Sequence, residues 1–135
     1  MKEKGTIVFP DGSAAYEGEI EDGHLEGEGK LYYRRSGSLH YEGQWRRNLP
    51  EGQGKQYDPN GAVRYEGEWK EGLREGKGRL FDETGKLKYE GDWKEGCVHG
   101  TGTLYYAASD RVAYIGEFRW DQRKGSGEEY REDDG

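Results

Sequence analysis

One cysteine, three histidines, a glycine-rich loop and repeated acidic pairs are the groups of this chain with catalytic or ligand-binding potential. Cys97 and His99 stand two residues apart, but a thiol nucleophile also needs an orienting group and a pocket to work in. His24, His40 and His99 recur at no common phase and have no Cys or carboxylate partner at ligand spacing, so no metal site is expected. Gly72-Leu73-Arg74-Glu75-Gly76-Lys77-Gly78 resembles a phosphate-binding loop. It has three residues between its first two glycines where four are needed, and Gly where Ser or Thr should follow the Lys. Carboxylate pairs such as Glu66 and Glu68 suit acid and base work, but they return at the same phase along the chain, as Glu17 and Glu19 and as Glu90 and Asp92, and a pair repeated in this way is structural before it is an active site. The expectation is no enzyme, no cofactor and no metal.

The elements that would hold any site are unusual in composition. Leu, Ile, Val and Phe supply 18 of 135 residues, below the ~20% floor of a chain with an aliphatic core. The 36% charged content and mean hydropathy of -1.27 point toward disorder. Against this stand 11 Tyr, 4 Trp and 3 Phe, because disordered chains are poor in aromatics. With 24 Gly, the apolar surface is aromatic and the backbone turn-rich, which excludes a large globular core, a coiled coil and collagen. No apolar run approaches the ~20 residues of a membrane span, and residues 1–10 have no secretory pattern. A single cysteine favours a reducing, cytoplasmic setting. The net charge of -7 repels nucleic acid.

Self-similarity organises the rest. Tyr16-Glu17-Gly18-Glu19-Ile20, Tyr41-Glu42-Gly43-Gln44-Trp45, Tyr65-Glu66-Gly67-Glu68-Trp69, Tyr89-Glu90-Gly91-Asp92-Trp93 and Tyr114-Ile115-Gly116-Glu117-Phe118 recur at steps of 25, 24, 24 and 25. Eleven residues after each Tyr begins a Gly-x-Gly, as in Gly76-Lys77-Gly78, and four before it sits Gly12, Gly37, Gly61, Gly85 or Asp110. Apolar and small residues at every second position, as in Val63, Tyr65, Gly67 and Trp69, predict half-buried strands. Asp58-Pro59-Asn60-Gly61 predicts a turn, with Pro fixing φ and Gly supplying a positive one. Asp110 fits the same role, as Asp tolerates the left-handed region. Period two then places Tyr, Gly and Trp on one face. Glu17/Glu19, Glu66/Glu68 and Glu90/Asp92 fall on the other, where Lys30, Lys55 and Arg79 on the following strands could pair with them.

Tyr-Glu-Gly-x-Trp with Gly-x-Gly and an Asp-x-x-Gly turn resembles the MORN (membrane occupation and recognition nexus) repeat. The resemblance runs over residues 5 to 130, with units of 24 or 25 residues where the family pattern is nearer 23. It implies an all-β fold: an elongated, single-layer antiparallel sheet of consecutive β-hairpins, forming an open curved solenoid with a groove. The chain divides as one domain, with a half repeat 5–15, repeats 16–40, 41–64, 65–88, 89–113 and 114–130, and an acidic tail 131–135. Eleven strands at ~4.8 Å give a body on the order of 50 Å long.

The resemblance also implies interaction in place of catalysis. The first expectation is a protein-binding or scaffolding module taking a helix or extended peptide against an aromatic groove of Tyr41, Trp45, Tyr65, Trp69, Tyr89, Trp93, Tyr114, Phe118 and Trp120. Packing ring against ring as the sheet's own core is the competing role for these residues. The rival from another class is anionic lipid, met by a basic patch of Arg34, Arg35, Arg46 and Arg47 with Lys55 and Arg64. A third is homodimerisation through the uncharged edge strand Gly5-Thr6-Ile7-Val8-Phe9.

Overall fold

Two kinds of turn send this chain back and forth. At one edge of the sheet the link is two residues long and both take positive φ, as in Glu71 (φ 49°) and Gly72 (φ 83°). That is the I′ geometry whose twist matches the flanking strands. At the other edge the Asp-x-x-Gly segments make wider loops. Gly61 (φ 92°) donates to the Asp58 carbonyl at 2.8 Å, and the Asp58 amide donates to the Ala62 carbonyl at 2.8 Å. The predicted turn chemistry is therefore present at Asp58–Gly61 and at Asp82–Gly85.

The computed structural model describes residues 2–107, 109 and 111–129. Asp110, Tyr130 and the tail 131–135 of the sequence reading lie outside the described residues. The strands are β1 (Lys2–Val8), β2 (Ala14–Glu21), β3 (His24–Tyr32), β4 (Leu39–Arg46), β5 (Leu49–Tyr57), β6 (Val63–Lys70), β7 (Leu73–Phe81), β8 (Leu87–Lys94), β9 (Cys97–Tyr105), β10 (Val112–Arg119) and β11 (Gln122–Glu129). They form one antiparallel sheet in sequence order, with no helix among the described residues. β1 begins three residues earlier than the edge strand expected at Gly5, and Phe9 belongs to the turn. Its Ile7 and Val8 side chains are exposed at the free edge.

Glycine sets the register. Every one of the ten strand pairs places Gly opposite Gly, from Gly5 against Gly18 through Gly67 against Gly78 to Gly116 against Gly127. The lane they form is where the tyrosine rings lie. A Cβ on Gly78 would overlap the Tyr65 hydroxyl, and one on Gly67 (φ 154°) would come within 2.5 Å of the Gly78 Cα. The register slips between Gly67 and Trp69, which face Gly78 and Arg74, so β7 bulges there. The same slip follows Gly18, Gly43, Gly91 and Gly116.

Successive repeats are tied through their tight turns. The Gly72, Gly96 and Asp121 amides donate to the carbonyls of Pro50, Arg74 and Val98 in the repeat before, at 2.9, 2.9 and 2.8 Å. The amide one residue earlier finds a carboxylate: Arg47 donates to Glu26, Glu71 to Glu51 and Glu95 to Glu75. The last repeat uses His99 Nδ1 for the Trp120 amide, at 3.2 Å.

Candidate interaction surface

The structure brings together eight of the nine predicted aromatic residues and separates the ninth. Tyr41, Trp45, Tyr65, Trp69, Tyr89, Trp93, Tyr114 and Phe118 are all buried. Each Trp stands edge-on between two tyrosines, Trp69 lying 5.4 Å from Tyr41 and 5.1 Å from Tyr65, a geometry aromatic quadrupoles favour. The ladder runs unbroken from Tyr16 to Tyr114 through Trp45, Trp69, Trp93 and Phe118. Trp120 sits instead in a tight turn, 46% exposed, beside the His99 ring.

Each polar atom of the ladder has a partner. The hydroxyls of Tyr16, Tyr41, Tyr65, Tyr89 and Tyr114 donate to the carbonyl three residues on, at 2.8 to 2.9 Å, at the residue beside the bulge. Trp45, Trp69 and Trp93 donate Nε1–H to the carbonyls of Gly29, Gly54 and Gly78 at 3.1 Å. The repeated motif is thus a packing unit: Tyr lies across two glycines and satisfies the bulge, while Trp fills the space between tyrosines. As the rings are buried, only their residual edges are open to a partner.

The open concavity lies on the opposite face. A groove of about 720 Å³ is walled by Glu42, Lys55, Glu66, Lys77, Arg79 and Glu90, with the backbone of Gly54, Gly67, Gly78 and Gly91 between them. A second, of about 520 Å³ and sharing Glu28 and Glu42, continues it toward Lys4 and Glu17. One wall is a row of opposite residues in alternating charge: Glu17, Lys30, Glu42, Lys55, Glu66, Arg79 and Glu90. This is the cross-strand pairing read from the sequence. Arg79 bridges Glu90 at 2.6 Å and Glu66 at 3.7 Å, while Lys55 lies 4.0 Å from Glu66.

The second acidic column does something the sequence did not disclose. Glu19, Gln44 and Asp92 accept the amides of Glu28, Gln53 and Thr101 at 3.0, 2.7 and 2.9 Å, as Glu68 does that of Lys77, closing the bulges. Lys77 also pairs with Asp92, and Lys2 stands 4.0 Å from Glu19. Two phenols join the charged wall: Tyr32 donates to Glu17 at 2.7 Å, and Tyr57 donates to Glu42. The bond to Glu17 pushes the Tyr32 phenol up to about 12, and burial followed by the bond to Glu42 does the same for Tyr57. Aligning Tyr32, Tyr57, Phe81 and Tyr105 would have marked this column.

The basic residues do not make one patch. Arg34 and Arg35 belong to the loop after β3, where Arg34 lies 5.5 Å over Phe9. Arg46 and Arg47 close the hairpin at the other edge. Sequence neighbours part in this way because each eight- or nine-residue strand carries the chain from one edge to the other, on the order of 25 Å. Lys55 stands in the groove, and Arg64 is held by Asp58 at 2.9 Å. The Cys97 thiol is pushed up by desolvation and by a bond to Asp121, which disfavours the thiolate a nucleophile needs. His24 spends Nδ1 on the Asn48 side chain at 2.9 Å. Among the described residues no group of His, Cys, Asp and Glu has metal-site geometry.

Comparison with known proteins agrees with the repeat. The MORN repeat pattern matches residues 16–38, 41–63, 65–86, 89–111 and 114–135. The chain is also similar to Protein TIC 100 of Arabidopsis thaliana, 43% identical over 49 residues, which is 36% of this chain and 5% of that protein's length. MORN repeats are non-catalytic modules of protein and membrane interaction. With the family pattern spread over five units of a single hairpin sheet, the chain belongs to the MORN repeat family.

Proposed function

We propose that this chain is a protein-recognition or scaffolding module that takes a helical or extended segment of a partner along its charged groove, not against the aromatic rings. The observation that carries the reading is the alternating row from Glu17 to Glu90 on the wall of the groove. Its pairs are exposed and contribute little to stability, so a partner's charges can replace them at small cost. A helix rises ~5.4 Å per turn and strands are spaced ~4.8 Å. A helix with acid and base alternating turn by turn would therefore match several rungs. The buried rings hold the floor of the groove rigid from behind.

The test compares wild type with a Lys55→Glu, Arg79→Glu double variant as bait in native lysate, with retained proteins identified by mass spectrometry. A protein held by wild type and lost on the charge-reversed groove is the expected result. Identical recoveries would remove the groove as the site. Sedimentation of wild type with vesicles of anionic lipid would favour a membrane surface as ligand.

A further inference from the structure

Aligning the repeats exposes a place where the ring face departs from its own rule. The column that flanks the rings on β3, β5, β7, β9 and β11 reads Leu25, Pro50, Arg74, Val98 and Arg123, the last lying 5.2 Å from the Tyr114 ring centroid. The column at the far end of the first four of these strands reads Leu31, Gln56, Leu80 and Leu104. Leu25, Leu31, Leu80 and Leu104 pack against the rings as the repeat requires. Two of the polar replacements sit on different strands and meet: Arg74 Nη2 donates to Gln56 Oε1 at 2.8 Å, across Tyr65. The guanidinium lies 4.9 Å from the Tyr65 ring centroid and 5.2 Å from that of Trp93.

This cation is incompletely served. Half-buried, it has no carboxylate within 4.0 Å among the described residues and only the more distant charge of Asp121 in its favour, whereas Arg64 has one such carboxylate and Arg79 two. A guanidinium carries five N–H donors in a planar fork, and the Gln56 contact uses one. Burial works against its charge and pushes it below the ordinary arginine range. The two rings recover part of that cost through their faces, but they leave the fork unfilled. A carboxylate is the partner whose two oxygens fit such a fork, and its value rises where water is partly excluded.

We infer that Arg74, with Gln56 and the faces of Tyr65 and Trp93, is a second recognition point, on the ring face, that receives an Asp or Glu side chain of an acidic peptide segment. It is separate from the groove on the opposite face, and neither needs the other.

A random dodecamer library displayed on phage tests it, selected in parallel on wild type, Arg74→Leu and the Lys55→Glu, Arg79→Glu variant. Leu is the residue at the equivalent position of the first repeat, so Arg74→Leu should fold; Arg74→Lys is the companion that keeps the charge and loses the fork. The expected result is a family of peptides sharing an acidic residue, kept by the groove variant and lost by Arg74→Leu. In synthetic form, changing that residue to its amide should weaken binding to wild type by about tenfold, weaken it less for Arg74→Lys, and leave Arg74→Leu unmoved. Peptides that bind wild type and Arg74→Leu alike would overturn the proposal while leaving the groove reading standing. A selection that enriches nothing would count against both.

Discussion

On the ring face of the sheet one contact returns in every repeat: a tyrosine across paired glycines, its hydroxyl on the bulge carbonyl, with Trp or Phe beside it from the second repeat on. On the charged face the same strands, read at alternate residues, drift. The phase that holds Lys30 and Lys55 becomes Arg79 and then Thr103, and the phase that holds Glu90 becomes exposed Ile115. The difference separates two duties. A one-layer sheet has a single set of rings to bury, so the ring positions repeat even where their neighbours, at Gln56 and Arg74, do not. The other face is wet, its pairs contribute little, and its residues are free to fit something else.

The sharpest break of this comparison is Trp69→Ala, which removes a ring wedged between Tyr41 and Tyr65 and should cost about 3–5 kcal/mol. Urea unfolding followed by circular dichroism would measure it, and a loss comparable to a groove substitution would mean the rings are dispensable. Gly78→Ala comes next. The added methyl has no room beside Tyr65, and overpacking of this kind costs about 1–3 kcal/mol, read in the same melts. Tyr65→Phe keeps the ring but orphans the Glu68 carbonyl, for about 1–3 kcal/mol.

Alkali acts on both faces and sharpens the contrast. Tyr16 on the ring face is pushed up to about 12 by burial, and Tyr32 and Tyr57 on the charged face reach about 12 through their environment and their carboxylate bonds. An unfolded phenol ionises near 10. The folded state resists losing these protons, so its advantage is complete below pH 10 and is lost as pH climbs to 12. Unfolding by circular dichroism should then coincide with the phenolate absorbance of these three residues, read as the difference from a variant with Phe at each. That difference appearing near pH 10 with the fold intact would show these groups to be free. The smallest effect belongs to Arg79→Gln, whose urea midpoint should barely move and should match wild type at high salt, because its pairs are exposed.

The ring face was legible in the sequence because each of its rules is local. Period two places Tyr65, Gly67 and Trp69 together, and Asp58-Pro59-Asn60-Gly61 carries its own turn chemistry. The alternating wall was legible too, once Glu66 and Arg79 were assigned to adjacent strands. What the pattern did not reveal depends on the bulge. Glu68 reads as a salt-bridge residue until the register slips after Gly67 and brings the Lys77 amide to it. The site was the harder inference. Aromatic residues signal binding and packing alike, and only burial distinguishes them. The groove also depends on backbone that glycine leaves bare, which no side-chain pattern advertises. Arg34 and Arg46 are close along the chain and far apart in space, because the hairpin sends them to opposite edges.

The strictly sequential strand order has a mechanical consequence. Because each strand bonds only its chain neighbours, tension applied at β1 and β11 is carried by hydrogen bonds that open one hairpin after another. Each 24-residue unit released would lengthen the tether from ~10 Å to ~80 Å. The molecule would then behave under load as a low-force extensible element, giving way in equal steps of one repeat and recoiling when the load is removed.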